Sequence, residues 1–271
     1  MKMIIAHTPD PDDAFMFYAM FEHKIETSFE YEQVVKDIET LNKESIDGKY
    51  DVTAISANGY MHVSNIYDLT TSGASFGLSY GPLVIAKKNM DLKGKIIATP
   101  GRYTSAELLY RMFAPEAGEY KEIRFDKIVN AIMNDEVDAG ILIHDEQLTF
   151  QEKGLVPVLK LYDEWKKYAG ELPIPLGFNA IRKNMPMEDK LKYKRDFENS
   201  IKYAQEHQND AVKYAMKYSR YDDFDLEKRF ILMYVNDLSV DFGDKGRQAL
   251  TLYYKRAADR NIVKPFTPTI V

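Results

Sequence analysis

The chain has 271 residues, 45% of them hydrophobic and 29% charged, with a net charge of −6 and no cysteine. That length exceeds the usual size of one compact domain, so two lobes with real cores are expected, and the composition argues against disorder. An excess of 42 Asp plus Glu over 36 Lys plus Arg argues against nucleic acid as a partner, and the missing cysteines exclude disulfides, thiolate metal sites and Cys nucleophiles.

The N-terminus, Met1-Lys2-Met3-Ile4-Ile5-Ala6-His7, is a short apolar run stopped by Thr8-Pro9-Asp10. It lacks the longer apolar region and cleavage site of a secretory signal. No segment approaches a membrane span. A cytoplasmic location is expected.

Strands are predicted at Lys2–His7, Phe29–Val35, Asp51–Ser56, Pro82–Lys87, Lys95–Thr99, Glu122–Phe125, Ala139–His144, Val158–Leu161 and Gly177–Arg182. Helices are predicted between them, over Asp12–His23, Asp37–Ile46, Thr104–Phe113 and Asp126–Asn134, from apolar residues at helical spacing. This alternation predicts an α/β fold with parallel sheets covered by helices. After Pro186 the pattern turns helical. Tyr193, Phe197, Ile201 and Ala204 mark one apolar face, Asn209 or Asp210 can cap the next helix, and helices around Leu226–Val235 and Asp244–Asn261 follow. Residues 1–83 with 177–271 are expected to form one discontinuous lobe. Residues 84–176 form the inserted second, and the ligand cleft lies between them at the strand ends.

Four segments can carry chemistry at that cleft. Thr8-Pro9-Asp10-Pro11-Asp12-Asp13 joins the first strand to the first helix: Asp12 or Asp13 can serve the helix N-terminus, and Thr8 or Asp10 can face a ligand. The aspartates lack the spacing of a calcium loop, and no metal site is expected. In Ala54-Ile55-Ser56-Ala57-Asn58, small residues at a strand tip let a ligand approach, with Ser56 a donor and Asn58 in the adjoining loop. Pro100-Gly101-Arg102-Tyr103-Thr104-Ser105-Ala106 turns a strand into a helix whose free N–H groups suit a carboxylate, with the Thr104 and Ser105 hydroxyls adding donors. Thr104 can equally be a simple cap. Finally, Ile143-His144-Asp145-Glu146 delivers a histidine to a strand end, where an adjacent acid could orient it as a proton acceptor. His7 is the competing base. His23, His62 and His207 are read as surface or packing residues. A further segment, Pro173-Ile174-Pro175-Leu176-Gly177, reads as a rigid hinge.

Taken in order, these segments, with Asp37-Ile38-Glu39-Thr40-Leu41-Asn42, Ser72-Gly73-Ala74, Gly81-Pro82-Leu83-Val84 and Thr149-Phe150, resemble the 1,4-dihydroxy-6-naphthoate synthases of the futalosine route to menaquinone. The resemblance spans nearly the whole chain. It implies a type II periplasmic-binding-protein-like fold used by an enzyme. It implies conversion of cyclic dehypoxanthinyl futalosine to 1,4-dihydroxy-6-naphthoate with release of the sugar-derived fragment and no organic cofactor. His144 falls on the family's general base, and Ala54, Ile55, Ser56, Ser105 and Ala106 on its substrate-binding segments. The chain departs from the family in having Thr-Pro-Asp-Pro-Asp-Asp where Ser-Pro-Cys-Pro-Asn-Asp is common, Ala54 where relatives can carry Lys, and Asp145 where Glu is usual. Two other functions fit the same architecture: dehydration of chorismate in the same pathway, and non-catalytic binding of a small anion. In each case the partner is an anionic small molecule. The oligomeric state is not legible.

Overall fold

The structure, a computed structural model, describes residues 2–220 and 222–271, with only the backbone of Asp145. In chain order the elements are β1 (Lys2–His7), α1 (Pro11–Phe21), β2 (Glu30–Val35), α2 (Ile38–Ser45), β3 (Val52–Ser56), α3 (Ala57–Met61), β4 (Tyr67–Leu69), β5 (Ser75–Gly77), β6 (Leu83–Ala86), β7 (Ile96–Thr99), α4 (Ser105–Phe113) and β8 (Glu119–Glu122). They continue as α5 (Ile128–Met133), β9 (Ala139–Leu142), β10 (Val156–Lys160), α6 (Leu161–Ala169), β11 (Ile174–Arg182), α7 (Met187–Glu206), α8 (Gln208–Ala215), α9 (Phe224–Tyr234), α10 (Asp237–Val240) and α11 (Gly243–Asp259).

Two sheets result. The first runs β2-β1-β3-β11-β4 with β5 also on β11, and the second runs β10-β6-β9-β7-β8. β1 lies parallel to β2 and β3, and β7 lies parallel to β8 and β9. The inner strands β1, β3, β7 and β9 are mostly buried, as parallel strands covered by helices require, whereas β2 and β8 at the sheet edges are not. The register decides where a ligand can sit. Gly177, where β11 begins to pair with β3, lies opposite Ser56 at the end of β3, and Leu83 at the start of β6 lies opposite Leu142 at the end of β9. The carboxyl ends of parallel strands therefore meet the starts of antiparallel ones at one edge of each sheet.

The expected α/β architecture is found, with corrections. The sheets are mixed: β11 runs antiparallel to β3 and β4, and β6 antiparallel to β9 and β10. Apolar patterning marks burial but not direction. The strand expected at Glu122–Phe125 lies earlier, at Glu119–Glu122, and Phe125–Lys127 is a 3₁₀ turn leading into α5. As an edge strand, β8 has charged, exposed residues and shows no apolar run. Val158–Leu161 is displaced to Val156–Lys160, and helix α6 follows at once, closed onto the core by Leu161 and Trp165. α8 begins at Gln208 with His207 at its cap position; Asp210 sits in its first turn. The short elements α3, β4, β5 and α10 are additions to the expected set.

The helical tail returns to the first sheet. α1 packs against α7 and α8, and α11 against β11 and α4. Ile270 then pairs parallel with Leu69 on β4. Among the described residues no helix is long and apolar enough to cross a membrane.

Gly73, between β4 and β5, has φ +74 and sits against Phe197 of α7; a Cβ there would lie 2.0 Å from Phe197 Cε1 and 2.6 Å from Asn179 Nδ2. Left-handed backbone and a filled site make two separate demands on this position. Gly73→Ala is expected to cost about 2–4 kcal/mol in denaturant unfolding. A loss below about 1 kcal/mol would contradict the packing described.

Candidate active site

The turn from β1 to α1 buries an unusual amount of charge. Asp10, Asp12 and Asp13 are each under a tenth exposed. Asp13 accepts hydrogen bonds from the Thr8 backbone N–H at 3.0 Å and the Thr8 hydroxyl at 2.7 Å, which fixes the turn. Pro11 opens the helix, where its missing N–H costs nothing. Asp10 occupies the cap position, but its side chain does not cap. Burial pushes all three carboxyls upward. Arg220 and the Thr8 hydroxyl pull Asp10 back, and His7 and Thr8 do the same for Asp13. Asp12 is raised well above the usual carboxylate range, because burial is reinforced by its two aspartate neighbours. Its Oδ1 is buried with no hydrogen-bond partner among the described residues.

His7 is tied into the core beneath this turn. Its Nδ1 lies 2.7 Å from the Thr8 carbonyl and its Nε2 2.6 Å from the Gln33 side-chain amide. One tautomer satisfies both, with Nδ1–H donating and Nε2 accepting. Burial lowers its pKa, and its ring stacks on Phe17. Both nitrogens are spent on structure.

His144 stands on the opposite wall, after β9. Its backbone has φ 60 and ψ −159, a region natural only to glycine. Holding it there costs on the order of 1–3 kcal/mol, a strain that accumulates at functional sites. An acid faces it from across the cleft: His144 Nδ1 lies 3.4 Å from Asp10 Oδ2. Arg220 Nη1 lies 3.6 Å from the other Asp10 oxygen. The Phe125 ring packs edge-on to His144 at 4.8 Å and carries the Arg220 guanidinium over it at 4.6 Å. The Asp145 side chain lies outside the described structure.

The third wall is the start of α4. Thr104 is its cap, accepting the Glu107 N–H and donating to the Gly101 carbonyl at 2.7 Å. The Ser105 hydroxyl, expected as a ligand donor, is engaged in the fold: it donates to the Leu176 carbonyl and accepts the Ala57 N–H at 2.9 Å. Ser56 differs. Its oxygen accepts from Asn42 Nδ2 at 3.1 Å, and its proton has no acceptor among the described residues. Asn58 lies on α3, not in a loop, and its amide donates to the Arg102 and Thr104 carbonyls at 3.0 and 3.2 Å. Asn42 accepts the Ser56 N–H and donates to the Tyr103 carbonyl. Glu39 accepts the Tyr103 N–H at 3.1 Å. The loop is thus held from behind by α2 and α3, while Thr104, Ser105 and Ala106 at the start of α4 line the cleft.

These walls enclose a cleft with about 110 Å³ open to the centres of water-sized molecules. That is space for on the order of eight waters at roughly 10–15 Å³ each. Thr8, Asp10, Ala54, Ile55, Ser56, Thr104, Ser105, Ala106 and His144 all line it; Asn58 and His7 do not. Asp12 and Asp13, read only as helix-end residues, line it too, as do Ser75, Gln147, Phe178 and Tyr234, which were not foreseen. Gln147 Nε2 donates to the Tyr234 hydroxyl at 3.0 Å, joining the β9 side to the end of α9. No local sequence signal brings residues 147 and 234 together. Among the described residues no group of three or more His, Cys, Asp or Glu could hold a metal ion.

A family model described as menaquinone biosynthesis matches residues 3–259. The chain belongs to the menaquinone biosynthesis family. As a member it is an enzyme of that pathway acting on a small molecule. It is 30% identical over 262 residues to a Thermus thermophilus 1,4-dihydroxy-6-naphtoate synthase, covering 96% of each chain. A crystal structure of an Archaeoglobus fulgidus protein superposes with a TM-score of 0.94 at 45% identity, over 97% of this chain and 98% of that one. A Candida albicans gene product with the generic periplasmic binding protein fold superposes at 0.65 with 11% identity, over 100% and 98% of the two chains, a likeness of fold alone. The chain thus has the periplasmic-binding-protein-like fold.

Burial raises Glu39, which steadies the α4 loop, to about 7 from its ordinary 4.5. The folded protein keeps this proton where the unfolded chain has released it. Stability from this group is therefore full below about pH 4.5 and is lost as pH rises towards 7. Replacing Glu39 by Gln should remove that loss. The stability of Glu39→Gln relative to the parent should improve between pH 4.5 and 8, by at most about 3 kcal/mol and by less after solvent screening. A difference that stays flat with pH in chemical unfolding would contradict the buried, protonated Glu39.

Proposed function

We propose that this enzyme converts cyclic dehypoxanthinyl futalosine to 1,4-dihydroxy-6-naphthoate, a carbon–carbon lyase reaction, with His144 as its general base. The observation that carries the reading is His144 on the cleft wall, beside a carboxylate and on strained backbone, in a member of a menaquinone family. The name of the Thermus relative supports the product. The size of the cleft supports a multi-ring substrate over a small inorganic anion.

In this reading the substrate's carboxylate lies at the start of α4. The first N–H groups of that helix and the Ser56 hydroxyl donate to it, and the small Ala54 and Ala106 with Ile55 let it approach. Thr104 and Ser105 hold that surface. The sugar-derived portion lies towards α1, where Asp12 offers a partner to its hydroxyls. His144 removes a proton from that portion, and the electron pair left behind drives the fragmentation towards the aromatic product. Residues 1–83 with 177–271 act as one lobe and 84–176 as the other, a division supported by the strand membership of the two sheets. We assign the enzyme to the cytoplasm.

Purified protein incubated with cyclic dehypoxanthinyl futalosine should yield 1,4-dihydroxy-6-naphthoate by mass spectrometry, and chorismate should come through unchanged. His144→Asn should lose about 10²–10⁴-fold in turnover, the usual contribution of a positioned base, while retaining substrate binding. Near-normal turnover in that variant would remove His144 from the role. Consumption of chorismate by the parent would reassign the substrate.

A further inference from the structure

We propose that Asp10 is the positioning residue for His144, and that Arg220, on the other carboxylate oxygen, holds Asp10 in place for that role. The proposal rests on His144 being the base and deepens that reading.

The geometry divides the two oxygens of one buried carboxyl between two partners. Asp10 Oδ2 faces His144 Nδ1 at 3.4 Å, and Oδ1 faces Arg220 Nη1 at 3.6 Å. Asp10 is 2% exposed and cannot swing to solvent. Its backbone is anchored as the cap of α1, with its carbonyl accepting the Ala14 N–H at 3.0 Å. Phe125 touches both the imidazole and the guanidinium, so the three side chains share one wall.

An acid at Nδ1 selects the tautomer with the proton on Nδ1 and makes Nε2, which is buried in the ligand-free protein, the basic nitrogen. When Nε2 takes a proton, an imidazolium forms beside the carboxylate in a site sheltered from water, where attraction is stronger. The separation of 3.4 Å is longer than the usual 2.7–2.9 Å of charge-assisted bonds. Catalytic contacts are often loose before substrate binds and tighten in the reacting complex. Asp10 must be ionised to act this way. Burial opposes ionisation, as do Asp12 and Asp13 on α1 and Asp37 at the start of α2; Arg220 and the Thr8 hydroxyl favour it. Arg220 is the cation placed to keep the carboxylate charged near neutral pH.

The test combines kinetics on cyclic dehypoxanthinyl futalosine with ring-nitrogen NMR of His144 in the ligand-free protein. Asp10→Asn should lower kcat about 10–100-fold, less than loss of the base itself, with little change in KM. The double variant with His144→Asn should be no slower than His144→Asn alone, because a residue acting through the imidazole has nothing left to act on. Arg220→Gln should be slow near neutral pH and recover as pH rises and Asp10 ionises; Arg220→Lys should keep most of the activity. The titration midpoint of His144 should fall in Asp10→Asn. An unchanged midpoint, or an Asp10→Asn loss that persists in the His144→Asn background, would overturn the proposal, whether or not His144 proves to be the base. A midpoint that falls in a protein inactive on this substrate would uphold the pairing and reject the assigned reaction alone.

Discussion

A buried carboxylate must be answered by a partner or take up a proton, and the β1–α1 turn buries three of them within four residues. Each is answered differently. Asp13 is satisfied locally by Thr8, Asp10 by His144 and Arg220 from outside its own segment, and Asp12 by a pKa raised well above the usual carboxylate range. This arrangement ties the first sheet to the wall after β9 and to the loop before α9. It also places carboxyl groups on the α1 wall of the cleft, whose other walls include the start of α4.

The second constraint is the backing of the α4 loop. Asn42 and Asn58 use their amides to satisfy the Arg102, Tyr103 and Thr104 carbonyls, and Glu39 takes the Tyr103 N–H. Ser105 bridges α3 and the β11 approach at the point where the chain recrosses between sheets. Donor groups that lie on rigid elements and are held from behind are preorganised for an anion, with little reorganisation left to oppose binding.

Much of this was legible in the residues. The strand–helix alternation gave the α/β class, and small residues at Ala54–Ser56 and the Pro100–Ala106 turn pointed to two walls of the cleft. His144 was marked by its place after a buried run, Ala139–Leu142. What was not legible is non-local. Strand direction leaves no trace in burial patterns, so the antiparallel returns of β6 and β11 were missed. One acid facing His144 lies 134 positions earlier, at Asp10, and no local signal pairs the two. A free-looking Ser105 hydroxyl proved to be a structural tie, because its acceptor, the Leu176 carbonyl, is distant in sequence. Gln147 and Tyr234 meet only through the fold.

The central claim is that this cleft holds the naphthoate product in one orientation. A crystal structure of the protein with 1,4-dihydroxy-6-naphthoate tests it most directly. The account predicts the product carboxylate within hydrogen-bonding distance of the Ser56 hydroxyl and the first N–H groups of α4, with its ring system extending towards His144 and the α1 turn. A product bound outside this cleft, or lying with its carboxylate against Asp10, Asp12 and Asp13, would contradict it.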